Sequence, residues 1–298
     1  MAEDPVKVTV EVAGRRLAVS NLDKVLFPAT ETTKGEVLAY YARIAPVLLP
    51  HLARRPVTRI RFPEGVEGLS FFEKNLPSGA PAWLPRVTVR TTSDALTYPL
   101  VTGLDALTYL VNLASLELHV PQWQVDADGM PLPPDRLVVD LDPGPGAGLR
   151  ECSQVALLVR ERLERIGLTP VPVTSGSKGM QVYAALPGSH SSEDMSALTQ
   201  AMAQELTATQ PELVVWRMTK SLRPGKVFLD WSQNAAAKTT ISPYSLRAKA
   251  APFVATPRRW TEVQEGAARE DGLVQETWEQ ALRRVERFGD LAAALLPH

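Results

Sequence analysis

The stretch LVVDLDPGPG, Leu137–Gly146, carries two aspartates one residue apart behind an apolar run and closes with two prolines and two glycines. An apolar run of this length that is stopped by Pro and Gly predicts a buried strand with an abrupt end. Because successive side chains of a strand point to opposite faces, Asp140 and Asp142 should share one face with Val138, while the other face is apolar. The stretch therefore predicts two neighbouring carboxylates at the end of a core strand.

Two interpretations of this pair remain open at this point. Two carboxylates on one strand face can reach a single hard cation, and a buried pair of like charges is costly without a cation or a proton between them. Alternatively, Asp142 caps the turn that follows and Asp140 lies at the open end of the sheet.

A second motif is TSGSKG, Thr174–Gly179, which separates two apolar runs. Its glycines allow a close approach of the backbone to a ligand, its serines supply hydroxyls, and Lys178 supplies a positive charge, a combination that suits a polyphosphate. The motif departs from the Walker A pattern. Taken alone, it is equally consistent with an ordinary surface turn.

The third motif contains Asp230, the one acid among nine Lys and Arg between residues 214 and 259. We expect its side chain to share a strand face with Phe228 and Ser232. A plain ion-pair role for Asp230 is the alternative. Three carboxylates, a candidate triphosphate loop and basic surroundings together are the components of two-metal nucleotidyl transfer.

Composition narrows the class of protein. One cysteine excludes an internal disulfide and cysteine-rich zinc modules, and none of the four histidines has metal-ligand spacing. The chain has no run of 18 apolar residues and no signal-like start, so we expect a cytoplasmic protein. The net charge of −1 hides an excess of six positive charges over residues 15–90 and of eight over residues 214–259. Basic stripes of this kind indicate a phosphate-rich ligand.

Strand and helix patterns alternate irregularly without a repeat or a Gly/Ser linker, which predicts a mixed α/β fold in one domain over residues 1–298. Its expected parts are an N-terminal part of about 1–130, a catalytic core of about 131–259 and a C-terminal helical segment, 260–298. Apolar spacing predicts a helix over Asp105–Val120 and another that Pro46 kinks or ends. A third predicted helix, over residues 148–167, includes Ile166 in its buried face.

The motifs occur in an order that resembles a known family. DLDP, SGSKG and VFLDWSQN…KTTISPYSLR, preceded by NLDKVLFP…TK, FFEKNLP and LELHVPQW, resemble the polymerase domain of bacterial ligase D, a member of the archaeo-eukaryotic primase superfamily, and the related stand-alone primase-polymerases. The similarity runs from about Val19 to Arg259. It implies a primase-like catalytic fold with mixed sheets flanked by helices, and a gap-filling or end-extending nucleotidyltransferase of DNA repair.

The resemblance also implies ligands and partners. The cofactor would be a divalent metal, Mn²⁺ or Mg²⁺, and the nucleotide an NTP or dNTP, with ribonucleotides preferred. The partner would be gapped or broken duplex DNA that carries a 5′-phosphate. A separate ligase or end-binding protein would complete the repair.

Site residues follow from the matching motif positions. The metal-binding and catalytic positions are Asp140, Asp142 and Asp230. The nucleotide-binding positions are Ser175, Lys178, Gln181, His119, Arg247 and Gln233. The DNA-binding positions are Asn21, Lys24 and Lys34 for the 5′-phosphate, Phe71 and Phe72 for base stacking, and Lys74, Lys220 and Arg223.

One position departs from the family pattern. The family resembled here usually reads SGSKGLHVY, whereas this chain reads SGSKGMQVY with Gln181 in place of the histidine. Glutamine donates a hydrogen bond but cannot carry a proton charge, so nucleotide affinity or choice should differ. This departure, and the lack of ligase and nuclease motifs, favour a stand-alone paralogue that finds its ligase in another chain.

Two other functions stay open from the sequence. A phosphatase of the haloacid dehalogenase kind also uses two aspartates one residue apart, but it requires Thr or Val where Gly144 stands. A DNA-end-binding module that keeps the 5′-phosphate pocket with weak or no catalysis is the closer alternative.

Overall fold

The computed structural model describes residues 7–90 and 95–297, and it has the predicted mixed α/β fold. Within these ranges the helices are α1 (Lys34–Leu52), α2 (Leu104–Asn112), α3 (Leu149–Arg165), α4 (Ser192–Thr209), α5 (Trp260–Ala268) and α6 (Trp278–Phe288). The strands are β1 (Lys7–Val12), β2 (Arg15–Ser20), β3 (Val25–Phe27), β4 (Thr32–Thr33), β5 (Thr58–Arg61), β6 (Phe71–Glu73), β7 (Arg86–Arg90), β8 (Ala95–Pro99), β9 (Ser115–Val120), β10 (Trp123–Val125), β11 (Pro131–Pro134), β12 (Arg136–Pro143), β13 (Pro170–Thr174), β14 (Met180–Ala185), β15 (Val214–Val215), β16 (Val227–Asp230), β17 (Thr240–Ile241), β18 (Leu246–Ala248), β19 (Pro252–Val254), β20 (Thr256–Pro257) and β21 (Glu276–Thr277). No helix of these ranges is long and apolar enough to cross a membrane.

The strand that carries the aspartate pair lies inside the largest sheet. This sheet has the order β15-β16-β12-β14-β13-β20, and β12 runs antiparallel to both of its neighbours. Leu137, Val139 and Leu141 pack into one apolar core with α3 and α4, whereas Val138 belongs to the core on the opposite side. The alternation of faces predicted from the sequence is therefore present.

A second sheet lies across the face that carries Asp140. Its order is β17-β9-β5-β6, and α1 and α2 pack in the core that this sheet shares with Val138 and Tyr183 of the central sheet. Residues of both sheets line one cavity, so the two sheets enclose the region in which Asp140 lies.

The predicted helix over Asp105–Val120 is wrong in its second half. The helix α2 ends at Asn112, and the chain reverses at Ala114, which has a φ of 59°. The residues that follow form the buried strand β9. A helix normally ends in this left-handed conformation at Gly or Asn, so an alanine there hid the boundary in the sequence.

Two smaller expectations also differ from the structure. Pro46 does not end its helix, because α1 continues through Pro50 to Leu52, and the alternative that Pro46 kinks the helix stays a prediction. Ile166 is 52% exposed instead of buried, because it caps the C-terminus of α3 beyond the last packed turn.

Candidate active site

The three predicted metal-binding carboxylates converge on two adjacent strands. Asp140 and Asp142 lie on β12, and Asp230 ends β16 directly opposite Asp140 in the antiparallel register. Two residues in register have neighbouring side chains on the same face of a sheet. The pairing of β12 with β16 therefore adds a third carboxylate to the predicted pair.

The orientation of Asp230 is fixed by the turn that follows it. Its Oδ1 accepts hydrogen bonds from the Ser232 amide at 3.0 Å and hydroxyl at 2.7 Å, and its Oδ2 accepts one from Gln233 Nε2 at 2.8 Å. The chain leaves the strand here and forms a 3₁₀ helix over Trp231–Asn234. The expectation that Ser232 shares a strand face with Asp230 is therefore wrong, and Ser232 supports the carboxylate from the turn.

Burial and the neighbouring carboxylates disfavour the ionisation of Asp140 and Asp142. Burial, together with the charges of Asp142 and Asp230, raises the pKa of Asp140 to about 8. Burial and Asp230 also raise the pKa of Asp142, against the opposing charges of Arg223 and Arg247. Such a cluster needs a proton or a cation to be stable.

A divalent cation fits this set of donors. Hard divalent cations prefer carboxylate oxygens, and Mg²⁺ keeps several waters or phosphate oxygens among its ligands. In the described part of the chain, no three His, Cys, Asp or Glu side chains converge closely enough to enclose an ion unaided. The aspartates would therefore hold a metal jointly with water or with the phosphates of a nucleotide.

The turn between β13 and β14 brings the predicted polyphosphate loop to the same cavity. Gly176 has a φ of 69°, and a Cβ there would lie 2.6 Å from Arg247 Cγ. A Cβ on Gly179 would lie 2.1 Å from the Leu141 carbonyl oxygen. Only glycine permits this close packing, which holds Lys178 beside the end of the aspartate strand.

A residue that the sequence analysis did not single out holds this loop in place. Gln275 Oε1 accepts a hydrogen bond from the Gly176 amide at 2.8 Å, and Gln275 Nε2 donates one to the Gly179 carbonyl at 3.0 Å. Gln275 follows this loop by almost a hundred residues, so no local sequence pattern indicated the contact. The C-terminal segment thus supports the loop directly.

Eight of the nine predicted metal- and nucleotide-binding residues line one cavity of about 260 Å³. These residues are His119, Asp140, Asp142, Ser175, Lys178, Gln181, Gln233 and Arg247. Asp230 borders the cavity through its register with Asp140. The structure thus brings together residues from five separate stretches of sequence.

The buried carboxylate of Glu117 joins two of these cavity residues. Its Oε2 lies 2.9 Å from His119 Nε2 and 3.3 Å from Arg247 Nη1, and its Oε1 accepts a hydrogen bond from the Ala248 amide. Burial would raise the pKa of Glu117, but the hydrogen bond to His119 and the charge of Arg247 lower it on balance. Glu117 was not among the predicted site residues, although its spacing of two from His119 on a strand places both on one face.

Gln181, which departs from the family pattern, lies beside the predicted metal-binding pair. Its side chain is hydrogen-bonded to Asp140, which favours the ionised carboxylate, and its Oε1 accepts a hydrogen bond from the Tyr183 hydroxyl at 2.8 Å. The glutamine therefore takes a defined place in the site, with one side fixed by Tyr183 and the other directed at Asp140.

The residues predicted to bind a 5′-phosphate form a second group away from this cavity. The Lys24 amide donates to the Asn21 carbonyl, and the Lys34 amide donates to the Lys24 carbonyl. Lys34 is mostly buried, and burial together with the charge of Lys24 lowers its pKa to about 8. Lys24 forms an ion pair of 2.8 Å with Glu64.

The remaining predicted DNA-binding residues lie in two places. Phe71 and Phe72 are exposed on the edge strand β6, and Lys74 follows them. Arg223 places its guanidinium 3.7 Å from the centre of the Phe228 ring, and its charge lowers the pKa of Asp142. Lys220 is exposed in the short 3₁₀ helix before β16 and does not reach the cavity.

The fold and this cavity define a nucleotidyltransferase-type site of the primase-polymerase class. The family model described as "LigD, primase-polymerase domain" matches residues 33–292. The chain belongs to this family, so the resemblance predicted from the motifs is confirmed. The sites of this family depend on a divalent metal.

Individual relatives agree with this assignment. The chain is 46% identical over 286 residues to the multifunctional non-homologous end joining DNA repair protein LigD of Mycobacterium tuberculosis, with 94% of this chain and 37% of that protein covered. It is 34% identical over 251 residues to the bifunctional LigD of Bacillus subtilis, with 84% and 40% covered. The chain thus spans little more than a third of these relatives.

One solved structure covers nearly all of the chain. The polymerase domain of Mycobacterium tuberculosis ligase D in complex with DNA matches with a TM-score of 0.89 and 46% identity, over 95% of this chain and 99% of that domain. The predicted fold class is therefore confirmed.

The family also decides against the phosphatase alternative. A Cβ on Gly144 would lie 1.9 Å from the Arg223 carbonyl oxygen, so the Thr or Val required by that reaction does not fit there.

Proposed function

We propose that the protein is a template-directed nucleotidyltransferase that fills short gaps, or extends DNA ends, in front of a downstream 5′-phosphate. The observation that carries this proposal is a cavity lined by Asp140, Asp142 and the cationic glycine loop, with Asp230 paired in register with Asp140 at its border. Carboxylates and cations that line one cavity suit a divalent metal that is shared with a triphosphate.

Each group of residues would have a separate role. Asp140, Asp142 and Asp230 would hold the metal, for which we propose Mn²⁺ as the preferred ion and Mg²⁺ as the other candidate. When bound, the metal would stabilise the charge of the triphosphate and lower the pKa of the primer 3′-hydroxyl. The primer oxygen would bond to the α-phosphorus as the bond to pyrophosphate breaks.

The basic side of the cavity would position the incoming nucleotide. Lys178 and Arg247 are cationic, Ser175 supplies a hydroxyl, and His119 is held by Glu117. Gln233 fixes Asp230 through a hydrogen bond, and Gln181 favours the ionised form of Asp140. The nucleotide would therefore enter a site whose acidic half is already oriented, which reduces the reorganisation needed for the reaction.

The N-terminal lysine group would bind the far side of the gap. Burial, and then the charge of Lys24, lower the pKa of Lys34, which makes a phosphate dianion a suitable ligand for this group. Phe71 and Phe72, both exposed, would stack on template bases without regard to sequence. Lys74, Lys220 and Arg223 would contact DNA phosphates, which makes binding strongly dependent on salt.

We also propose that residues 1–298 work as one catalytic domain. The main apolar core includes Tyr41, Val138 and Leu282, which come from the N-terminal part, the catalytic core and the C-terminal segment. A separate ligase or end-binding protein would act on the filled gap in the bacterial cytoplasm, and the stand-alone character of the chain stays a prediction.

Primer extension on a gapped duplex tests the proposed function. The gap, the metal (Mn²⁺ or Mg²⁺), the sugar of the nucleotide and the 5′ end (phosphate or hydroxyl) are varied. We expect addition of one to a few nucleotides, fastest with Mn²⁺, ribonucleotides and a 5′-phosphate. DNA binding without any addition under all conditions would instead support the non-catalytic end-binding module.

A further inference from the structure

A second cavity opens beside the catalytic cavity. This cavity, which we call the side chamber, has a volume of about 290 Å³ and lies between the β7–β8 hairpin, the β10–β11 hairpin and residues 236–239. Thr239 lines both the side chamber and the catalytic cavity. The two spaces are therefore adjacent along one wall.

The other end of the side chamber meets the surface predicted to carry the template. Lys74 and Leu96 line both the side chamber and an open cleft of about 560 Å³ that also contains Phe72 and Arg61. The side chamber thus shares lining residues with the cleft that contains exposed Phe72 and with the aspartate cavity.

The walls of the side chamber are mainly apolar and partly aromatic. Val89 pairs with Leu96 and Val87 pairs with Tyr98 in the β7–β8 hairpin, so these four side chains share one face. Val87, Val89 and Tyr98 of this face pack with Trp123 in a small apolar cluster of their own. The Trp123 ring is fixed because its Nε1 donates a hydrogen bond of 2.9 Å to the Ala236 carbonyl.

Polar groups are few and are placed at the edge of these apolar walls. Lys74 and Arg90 contribute two cations to the lining. Burial raises the pKa of Tyr98. Its hydroxyl has no hydrogen-bond partner among residues 7–90 and 95–297. This hydroxyl is therefore available to a ligand with a polar edge.

We propose that the side chamber takes one unpaired nucleobase of the template strand while the protein holds a gap, an inference that rests on the proposed function. A nucleobase has the flat apolar faces that suit Trp123 and Tyr98 and the polar edge that suits the free hydroxyl. The phosphates on either side of the base would lie near Lys74 and Arg90. The base next to the templating position would then be held outside the duplex.

Continuity and charge favour a nucleobase over an apolar peptide as the occupant. The side chamber shares lining residues with a cleft and a cavity that we assign to DNA and nucleotide, and its two charged lining residues among residues 7–90 and 95–297 are both cations. The volume is near the lower limit for small-molecule sites, which suits one planar group. Stacking on aromatic side chains offsets the cost of unstacking the base from its neighbours.

An abasic scan of the template tests this proposal. Gapped duplexes that lack one template base at a time, in and beside the gap, are bound to the wild-type chain and the affinities are measured by fluorescence anisotropy. We expect one position at which loss of the base weakens binding by about 5- to 100-fold, the range of stacking on a protein aromatic ring. Nucleotide incorporation on the intact duplex is measured on the same preparation.

Two surface variants connect that position to the side chamber. Leu132→Trp fills the chamber mouth and should make the intact and abasic duplexes bind alike at that position. Met130→Trp is the matched control, since Met130 is 62% exposed and does not line the chamber. Phe72→Ala should change the effect of base loss at a neighbouring template position and leave the effect at this position unchanged.

The outcomes separate the side chamber from the proposed function. The side chamber proposal is overturned if no single base loss weakens binding, or if the scan of Leu132→Trp equals that of the wild type. Either result counts even if incorporation is normal. Absence of incorporation by the wild type on the intact duplex overturns the proposed function, and the side chamber proposal falls with it.

Discussion

Two clusters of like charge, with opposite sign, lie at different places in the molecule. The acid cluster is Asp140, Asp142 and Asp230, and the lysine cluster is Lys24 and Lys34. Burial and like charge raise the pKa of Asp140 to about 8, and the same two causes lower the pKa of Lys34 to about 8. Each cluster is therefore costly alone and is stabilised by a ligand of the opposite charge.

The two clusters differ in how far opposite charges of the protein itself compensate them. Lys24 already has Glu64 at 2.8 Å. Among the described residues, no Lys or Arg lies within ion-pair distance of Asp140 or Asp142, although Arg223 and Arg247 act on Asp142 from farther away. The acid cluster thus depends more strongly on its ligand, and we expect larger effects from changes there.

The largest effect should come from removing one carboxylate of the acid cluster. Asp140→Asn and Asp142→Asn should each lower the rate of nucleotide addition at least about a thousandfold, because metal stabilisation of the reacting phosphates contributes several kcal/mol. DNA binding should stay within about twofold of wild type. Primer extension and anisotropy measure the two quantities, with the exposed acid variant Glu212→Ala as control. Extension by either variant at the wild-type rate would show that the substituted aspartate is not required for the reaction.

The next effect concerns the free energy of unfolding without metal. Because the pKa of Asp140 is raised from 3.8 to about 8, the folded state binds more protons than the unfolded state between these values. Stability should therefore fall as pH rises from 5 to 7.5, by up to about 1.4 kcal/mol per pH unit. Urea denaturation in EDTA measures this dependence.

Two comparisons isolate the aspartate from other titrating groups. Asp140→Asn should have a smaller fall in stability with pH than the wild type, and Mn²⁺ should stabilise the wild type more at pH 7.5 than at pH 5. An identical pH dependence in the wild type and the variant would contradict the raised pKa.

Disrupting the lysine cluster should have a more moderate effect. The double change Lys24→Gln and Lys34→Gln should reduce the preference for a 5′-phosphate over a 5′-hydroxyl by about tenfold, the effect of losing a charged hydrogen bond. Glu64→Gln should increase the preference, because it frees Lys24. Binding of paired gapped duplexes measures the ratio, and Lys7→Gln, an exposed lysine on β1, is the control. A preference that survives the double change would place the 5′-phosphate elsewhere.

The smallest effect should come from the support of the glycine loop. Gln275→Ala removes two hydrogen bonds to the backbone of this loop and should raise the KM for the nucleotide about 2- to 10-fold, with DNA affinity unchanged. Steady-state kinetics and anisotropy separate the two effects. Gln210→Ala, at the exposed end of α4, should behave like the wild type; an equal loss in both variants would indicate general destabilisation.

The sequence allowed the family, the fold class and the aspartate pair to be predicted, because strand alternation and ordered motifs are local signals. It did not allow prediction of the register that sets Asp230 opposite Asp140, since strand pairing depends on the whole sheet. Gln275 meets Gly176 from 99 residues away, and no local pattern connects them. The break at Ala114 was missed because its left-handed conformation is rare for alanine.

Direct measurement of Mn²⁺ binding tests the central claim, that the acid cluster is completed by a divalent cation. Free Mn²⁺ is followed by electron paramagnetic resonance at pH 8, with and without a non-hydrolysable nucleoside triphosphate. The wild type should take up Mn²⁺, more tightly with the nucleotide present, and the triple variant Asp140→Asn, Asp142→Asn, Asp230→Asn should leave it free. Equal uptake by the wild type and the folded triple variant would contradict the account.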